Sequence, residues 1–427
     1  MESTEAISKV KTGKIIGARY YEGDTALDKK GHGIHTASTA AGRVVENANL
    51  FGIANGTAQG GVPLARIATY KVCGFRCDEK DVMAAFDDAI ADNVDVISIS
   101  IGSQYTVNIS DDVIAIGSFH AMQKGILTIQ AAGNIEFPIL KTTVSIAPWL
   151  FTVAASGIDR KIINKLVLGN TPTLLIEAKI ANASGLILRK YKTVFNDVAI
   201  DAILPMAILH DSEFEFVESY LKSNKFPSAR ILKSEAVHSP TPGPIVASFS
   251  ARGPNAIIPE IFKHLFLILL DFLTYPVQNI NSNLELSMAC PHVTGAVAYV
   301  KSKHLDWSTT AIKSSIMTTA WTMNMEYNVD AELGYGAGLI DPVKAAYPGL
   351  VYETSIHEYI NMFCSVGSEG DKLRKMLGVE TKCPEGIKTS PKDLNYPAMT
   401  APIQINSSFN IQFSRVVTNV GDKRWTG

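Results

Sequence analysis

Short apolar runs alternate with amphipathic segments between Ala65 and Asn134, and this alternation is the strongest constraint on the fold. The run VDVISISIG has almost no polar face, which is typical of a parallel strand that is covered on both sides. The segment before it, EKDVMAAFDDAIADN, repeats apolar residues at helical spacing. A second predicted helix, with Ser110 as its N-cap and Gly125 at its end, leads to the next strand, ILTIQAAGN. Repeated β-α-β units of this kind predict an α/β fold on a parallel sheet.

The length and composition fit a globular protein with more than one domain. The chain has 427 residues, of which 46% are hydrophobic and 19% charged, so we expect two or three domains and a sizeable core. A formal charge of −2 without any basic run disfavours a nucleic-acid partner. The most apolar run, LFLILLDFLTY, is too short to span a bilayer and contains Asp271, so we expect no membrane span.

The N-terminal residues and the cysteines bear on the cellular compartment. The start of the sequence lacks the features of a signal peptide, which favours either an intracellular protein or a chain without its natural start. Five cysteines allow two disulfides and one free thiol, or no disulfide at all. Cys73 and Cys77 bracket a short loop, and Cys364 and Cys383 bracket a longer one. Four Asn-x-Ser/Thr sequons are weak support for secretion.

Changes in pattern divide the chain into four predicted segments. Strand and helix alternate in 1–160, and the pattern loosens in 161–240, where DSEFEFVESYLKSN predicts a helix within a small α/β insertion. The α/β domain resumes after the Pro-rich SPTPGP and covers 241–349. The segment 350–427 changes composition and ends shortly after FNIQFSRVVTNVG, whose alternation predicts a β-strand.

Three separated motifs carry side chains that are suited to nucleophilic catalysis. They are GHGIHTASTAAG (Gly31–Gly42), AAGN (Ala131–Asn134) and SMACPHVTGA (Ser287–Ala296). A serine hydroxyl is a poor nucleophile until a base removes its proton, so Ser287 requires a partner such as His32. Each motif alone also has an ordinary structural explanation: a histidine at a helix start, an asparagine in a turn and a serine that caps a helix.

Eight blocks of the sequence, in the same order, resemble the subtilisin-like serine peptidases, and within them the plant cucumisin type. Besides the motifs that begin at Gly31 and Ser287, they are KIIGARYY, FGIANGTAQGGVPLARIATYKVC, VASFSARGPN, AIKSSIMTTA, GYGAGLIDPVKAAYPGLVY and DLNYPAM with RVVTNVG. The resemblance implies a subtilisin-like parallel sheet flanked by helices, formed by 1–160 without its Asp-bearing start and by 241–349. It also implies a shortened protease-associated insertion in 161–240 and a truncated fibronectin-III-like β domain in 350–427.

The resemblance also assigns roles to individual residues of this chain. Ser287 corresponds to the nucleophile that forms the acyl-enzyme, His32 to the general base, and Asn134 to a donor for the oxyanion. His35 resembles the family's structural histidine. The residues that correspond to the peptide-binding strand and to one wall of the pocket before the scissile bond are Ser100, Ile101, Gly102, Ala132 and Gly133. The implied substrates are proteins or peptides, without a cofactor or a metal, and the implied location is extracellular, in the apoplast or cell wall.

Departures from the family pattern keep a second hypothesis open. The family's acid lies in an Asp-Thr-Gly motif before the histidine, whereas this sequence offers only Asp24 and Asp28, and neither is assigned that role. Glu285 and Leu286 stand where members of the family have Gly-Thr before the serine. The alternative is therefore an inactive truncated paralogue, or a gene-model fragment, that at most binds peptides. An α/β-hydrolase esterase is disfavoured because no Gly-x-Ser-x-Gly motif surrounds Ser287.

Overall fold

The structure is a computed structural model, and it describes most of the chain. The described residues are 13–50, 52–103, 105–135, 139–157, 159–163, 165–168, 185–189, 205–238, 243–261, 266–267, 285–386, 389–404, 406 and 408–421. Most of the apolar run LFLILLDFLTY lies outside them.

The elements are numbered along the chain. The strands are β1 (Ile15–Tyr20), β2 (Val45–Leu50), β3 (Ile53–Ala58), β4 (Ile67–Lys71), β5 (Val96–Ile99), β6 (Leu127–Ala131), β7 (Phe151–Val153), β8 (Ser156–Gly157), β9 (Arg160–Ile163), β10 (Leu166–Leu168), β11 (Leu186–Arg189), β12 (Met206–Leu209), β13 (Ala229–Ile231), β14 (Glu235–His238), β15 (Ile245–Val246), β16 (Phe266–Leu267), β17 (Gly338–Leu339), β18 (Leu350–Tyr352) and β19 (Val417–Asn419). The helices are α1 (His32–Ala41), α2 (Glu79–Ala91), α3 (Val113–Gln123), α4 (Asp211–Ser223), α5 (Glu285–Lys303), α6 (Thr309–Thr318), α7 (Glu332–Tyr335), α8 (Pro342–Ala345), α9 (Ile356–Ser365) and α10 (Asp371–Leu377), with a 3-10 turn at Pro391–Asp393.

A five-stranded parallel sheet forms the centre of the molecule, in the order β17-β16-β7-β6-β5. The register places Ile99 of β5 opposite Gln130 of β6. All residues of β6 and β7 are buried, and helix α5 packs against β5, β6 and β7. The predicted α/β fold on a parallel sheet is therefore confirmed.

Strand β5 differs from its sequence-based expectation. The apolar run predicted a strand whose two faces are covered, but most residues of β5 are only half-buried and Ser98 is exposed. Among the described residues, β5 is also the edge strand of the sheet. Strands β1 and β4 pair in parallel with each other in a separate two-stranded sheet. The sequence of a strand reports the apolar character of its faces, whereas its rank in a sheet depends on which other strands pair with it.

Two local predictions around the sheet have different outcomes. Helix α2 buries one face, including Val82 and Phe86, as its spacing predicts. The predicted N-cap of α3 was wrong. Asp112, not Ser110, caps this helix, and its carboxylate accepts the N–H of Ile114 at 2.9 Å. Both residue types cap helices well, and only the position of the first helical turn decides between them.

The insertion contains short paired strands and one helix. Strand β9 pairs antiparallel with β14, β10 pairs antiparallel with β13, and β11 pairs in parallel with β12. Helix α4 lies where the sequence predicts it. In the C-terminal segment only Val417–Asn419 of the predicted strand forms, and it pairs with β18.

The cysteines resolve into two disulfides and one thiol. Cys73 is bonded to Cys77, and Cys364 to Cys383, while Cys290 is a buried free cysteine. The first of the two alternatives left open by the odd count is thus the one in the structure. Among the described helices, none is both long and apolar enough to cross a membrane.

Candidate active site

Ser287 is the third residue of α5, since this helix begins at Glu285. It is therefore not the N-cap, which rules out the simplest structural explanation of this serine. The N–H groups of a first helical turn have no partner within the helix, and the helix dipole places partial positive charge there. The side chain is buried, with 7% of the residue exposed. Within the described part of α5, Ser287 is thus a buried serine close to the first helical residue.

Polar side chains join α5 to the end of strand β5. The hydroxyl of Ser100 donates to the carbonyl oxygen of Ser287 at 2.8 Å. The hydroxyl of Thr294 donates to that of Ser98 at 2.9 Å, and the thiol of Cys290 lies 3.5 Å from the carbonyl oxygen of Ile129. Burial raises the pKa of the Cys290 thiol to about 11, so this cysteine is a packed core residue and not a competing nucleophile.

Helices α1 and α5 lie side by side and run in the same direction. A Cβ atom added to Gly295 would lie 3.2 Å from the carbonyl oxygen of Ala40 and 3.1 Å from the Cα of Gly61. Nearer the two helix starts, the charge of His292 lowers the pKa of His35, so these two side chains are close. Since Ala40 and Gly295 each lie eight residues after His32 and Ser287, both candidate residues are about 12 Å before this contact, at the same end of the helix pair.

His32 is the first residue of α1, and the backbone around it is fixed by Asp28. The Asp28 carboxylate accepts the N–H of Gly31 at 2.8 Å and that of Ile34 at 2.8 Å. Burial raises the pKa of Asp28, but these backbone hydrogen bonds outweigh it and hold the pKa below its ordinary value. Gly31 precedes the helix with a φ of 82°, a conformation that favours glycine. The helix start is thus a short turn organised around one carboxylate.

Burial also sets the protonation of the histidines at this site. It lowers the pKa of His32, while the charge of Asp28 acts in the opposite direction. Burial lowers the pKa of His35, and the nearby charges of His32 and His292 lower it further. The pKa of His292 is lowered by burial too, although its Nδ1–H donates to the carbonyl oxygen of Met288 at 2.8 Å. The neutral form, which a general base needs, is therefore favoured at His32.

The third member of a catalytic triad is not seen on His32. Within the described part of the chain, the His32 ring forms no hydrogen bond with a carboxylate, and none with Ser287. Asp24 pairs with Lys29, and Asp28 is engaged by backbone N–H groups. Among the same residues, no three His, Cys, Asp or Glu side chains are grouped to hold a metal ion.

Asn134 lies just beyond the carboxyl end of strand β6. Its backbone forms an isolated bridge with Ser250, and its neighbours are held on both sides by the same segment. Ile135 N–H donates to the carbonyl of Phe249, and Ala251 N–H donates to that of Gly133. Asn134 itself is exposed. Because β5 and β6 are parallel, Asn134 and Ser100 follow strand ends at the same edge of the sheet.

The predicted substrate-binding residues converge on a side chain that the sequence did not indicate. A Cβ atom added to Gly102 would lie 3.1 Å from Val144 Cγ2, and one added to Gly133 would lie 3.0 Å from the same atom. Val144 N–H donates to the carbonyl of Ala132, which is fully buried. The carbonyl of Ile101 accepts the side-chain amide of Gln130 at 3.1 Å. The two predicted segments thus form adjoining walls around Val144.

Sequence reasoning missed Val144, the cap formed by Asp28 and the contact of the Ser100 hydroxyl with Ser287. No local pattern marks Val144, since it lies in a segment without regular structure. The acid before the Gly-His-Gly motif was visible, and an Asx-type cap of the following helix is its ordinary use. The contact of Ser100 joins residues 187 positions apart, so only the packing of α5 on the sheet shows it.

The parallel sheet, with a buried serine near the start of α5 and a histidine at the start of the neighbouring helix α1, defines an α/β protein in which a serine and a histidine lie at the same end of a helix pair. The chain belongs to the subtilase family, whose family model, described as Peptidase_S8, Subtilase family, matches residues 11–336.

Curated relatives agree with this family. The chain is 41% identical over 486 residues to Subtilisin-like protease SBT4.3 of Arabidopsis thaliana, a match that covers 96% of this chain and 66% of the relative. It is 43% identical over 442 residues to Subtilisin-like protease SBT4.10 of the same plant, with 97% and 63% covered. The chain therefore spans slightly less than two thirds of the length of these relatives.

Proposed function

We propose that the chain acts as a serine endopeptidase through an acyl-enzyme at Ser287. The observation that carries the proposal is the parallel packing of α1 and α5, which brings His32 and Ser287 to one end of the helix pair. That end adjoins the carboxyl edge of the sheet, because the Ser100 hydroxyl contacts Ser287 there. The names of the curated relatives support the same activity.

The proposed roles follow ordinary acyl-transfer chemistry. His32 accepts the proton of the Ser287 hydroxyl while the oxygen attacks the peptide carbonyl carbon, and His32 then donates that proton to the departing amine. The backbone N–H of Ser287 and the side-chain amide of Asn134 stabilise the oxyanion. In bacterial subtilisin, a member of this family, one such side-chain donor is worth about 2.7–4 kcal/mol. Water attacks the ester with the help of His32, releasing the acid product and restoring Ser287.

The proposed substrate is an extended stretch of protein or peptide. Its main chain would pair with Ser100–Gly102, and the side chain before the scissile bond would lie against Ala132 and Gly133. Support comes from Gly102 and Gly133, which form adjoining walls beside Val144. Main-chain pairing along a strand end tolerates many side chains, which suits an endopeptidase with broad specificity.

The remaining segments are assigned by the same resemblance. We infer that the catalytic unit comprises 1–160 and 241–349, that 161–240 is a protease-associated insertion, and that 350–427 is a linker with part of a fibronectin-III-like domain. The paired short strands with helix α4 in the insertion, and the antiparallel pair of β18 and β19, support this division. An extracellular location is proposed from the family, and the two disulfides are compatible with it.

One observation favours the alternative of a chain that binds peptides without cleaving them. Within the described residues, the His32 ring forms no hydrogen bond with a carboxylate, although the charge of Asp28 acts on it. In bacterial subtilisin, loss of the acid alone lowers turnover by about 3 × 10⁴. The histidine and serine of bacterial subtilisin still contribute to turnover when the acid is lost. We therefore keep the proposal of activity and expect a low rate.

Hydrolysis of an unfolded protein substrate by the purified chain tests the proposal. We expect slow release of new N-termini that follows the concentration of folded protein and is lost in Ser287→Ala. The variant serves as the control for contaminating peptidases. Equal rates in the two proteins would contradict endopeptidase activity, and peptide binding to both without cleavage would support the alternative.

A further inference from the structure

The carbonyl group of Ser287 is left without its usual helical partner. In an α-helix the C=O of each residue accepts the N–H of the residue four positions later. Four positions after Ser287 is Pro291, which lies inside α5 and has no N–H. Ser287 is buried, so water is a poor substitute for the missing donor. A donor from elsewhere in the fold can take the place of the missing N–H.

Ser100 supplies that donor from the end of strand β5. Its hydroxyl lies 2.8 Å from the Ser287 carbonyl oxygen and donates to it. Ser100 is also the first residue of the segment that we propose to hold the substrate main chain. One hydrogen bond thus joins the proposed nucleophile to the proposed substrate-binding strand.

Two further contacts show that this hydrogen bond belongs to a row of polar contacts between α5 and β5. On the helix, Ser287, Cys290 and Thr294 are spaced by three and four residues and share one face. On the strand, Ser98 and Ser100 are two residues apart and point to one side. Thr294 donates to Ser98 at 2.9 Å, and Cys290 Sγ lies 3.8 Å from the Ser98 hydroxyl. These contacts between α5 and β5 therefore fix the rotation of α5 about its axis and its position along the strand.

We propose that Ser100 is a positioning residue for Ser287: its hydroxyl replaces the N–H that Pro291 lacks and fixes the nucleophile relative to the substrate strand. The inference rests on the proposed function for its catalytic consequence. Its structural part, the compensation of Pro291 by Ser100, stands on the hydrogen bond and on the helix geometry.

A double-mutant cycle between Ser100 and Pro291 tests the structural part without any activity. Ser100→Ala should lower the urea midpoint of unfolding, because a buried carbonyl loses its donor. In the Pro291→Ala background an N–H at position 291 can serve that carbonyl, so the same substitution should have a several-fold smaller effect. Ser100→Thr keeps the hydroxyl and should behave like the natural chain. Ser302→Ala, which removes a hydroxyl from the other end of α5, is the matched control.

The kinetic part is tested by the rate of labelling with a fluorophosphonate. Ser100→Ala should label about tenfold to a hundredfold more slowly, since small displacements of a reacting group have effects of that order, and Ser100→Thr should restore the rate. For a peptide substrate, kcat should fall more than KM rises. A change in KM alone would show a substrate contact instead of positioning. If Ser100→Ala lowers the urea midpoint equally in the natural chain and in Pro291→Ala, the inference is overturned. If Ser287 of the natural chain is not labelled, the proposed function is contradicted. The double-mutant cycle then still tests whether Ser100 compensates for Pro291.

Discussion

Helices α5 and α1 pack against each other, yet they are embedded in the protein to very different degrees. From Leu286 to Val297 every residue of α5 except His292 is buried, and the helix rests on the fully buried strands β6 and β7. In α1 only Ala41 is buried. The nucleophile candidate is therefore held by the core, and the base candidate by a thin outer layer.

This difference indicates which contacts hold Ser287 and which hold His32. Many side chains share the task of placing Ser287, so no single contact decides whether α5 lies on the sheet. The position of His32 depends on a few local contacts, chiefly the Asp28 cap and the close approach of Gly295 to Ala40 and Gly61. Strand β4, which leads from this layer to α2, is only half-buried. We therefore expect α1, which carries His32, to lose its structure before α5 when the protein is destabilised.

The largest effect on activity should come from removing either reacting group. In bacterial subtilisin, loss of the serine costs about 2 × 10⁶ in turnover and loss of the acid about 3 × 10⁴. Since no carboxylate among the described residues is hydrogen-bonded to His32, the serine should retain a roughly 70-fold contribution, the ratio of those two values. Ser287→Ala and His32→Ala should each lower kcat by about that factor. A loss near 10⁶ would show that an acid acts on His32 after all.

The next largest effect should come from widening the contact between the two helices. Gly295→Val adds atoms where backbone of Gly61 and Ala40 already lies close, and overpacking of this kind typically costs about 1–3 kcal/mol of unfolding free energy. Urea unfolding measures this loss, and the labelling rate of Ser287 should fall with it. Gly17→Val is the control, because a Cβ there meets no atom within 4 Å. Equal effects of the two substitutions would show that the helices do not depend on this contact.

A smaller effect should follow from removing the cap of α1. Asp28→Ala deletes the acceptor for the N–H groups of Gly31 and Ile34, and loss of such a cap costs about 0.5–2 kcal/mol. The loss should appear as faster hydrogen exchange in α1 with unchanged exchange in α5. Asp28→Asn retains an acceptor and should recover part of the protection. An equal increase of hydrogen exchange in α1 and α5 would contradict the proposal that α1 is held less firmly than α5.

The smallest predicted effect is a dependence of stability on pH. Burial lowers the folded-state pKa of His32, His35 and His292 below the ordinary value of 6.5. The unfolded chain therefore binds protons that the folded chain does not, so these groups lower stability as the pH falls below about 6.5 and leave it unchanged above. Urea midpoints between pH 5 and 8 measure the slope, and His35→Gln should reduce it. A midpoint that rises on acidification would contradict the burial of these rings as the dominant cause.

Local signals in the sequence account for much of the fold. The spacing of Val82 and Phe86 predicted helix α2, and the apolar run of ILTIQAAGN predicted the buried strand β6. These features depend on neighbouring residues alone. The edge position of β5 in the described sheet depends on partner strands that its own residues do not encode. The partial exposure of β5 likewise depends on what packs against it and not on its own apolar run.

The candidate site was predictable as a set of residues but not as an arrangement. His32, Asn134 and Ser287 stood out because each motif has a resemblance to a known family. Pro291 was visible beside Ser287, but the donor that compensates for it lies 187 residues earlier and appears only when α5 packs on β5. Contacts between distant segments of this kind are set by tertiary packing, which no local pattern reports.

The central claim is that Ser287 is a nucleophile activated by His32, and labelling with a fluorophosphonate probe tests it most directly. The folded chain is incubated with the probe, digested, and the modified residue is located by mass spectrometry. We predict slow modification of Ser287 that is lost in His32→Ala, while Cys290 stays unmodified. An unlabelled Ser287 in folded protein, or labelling at the same rate without His32, would contradict the claim.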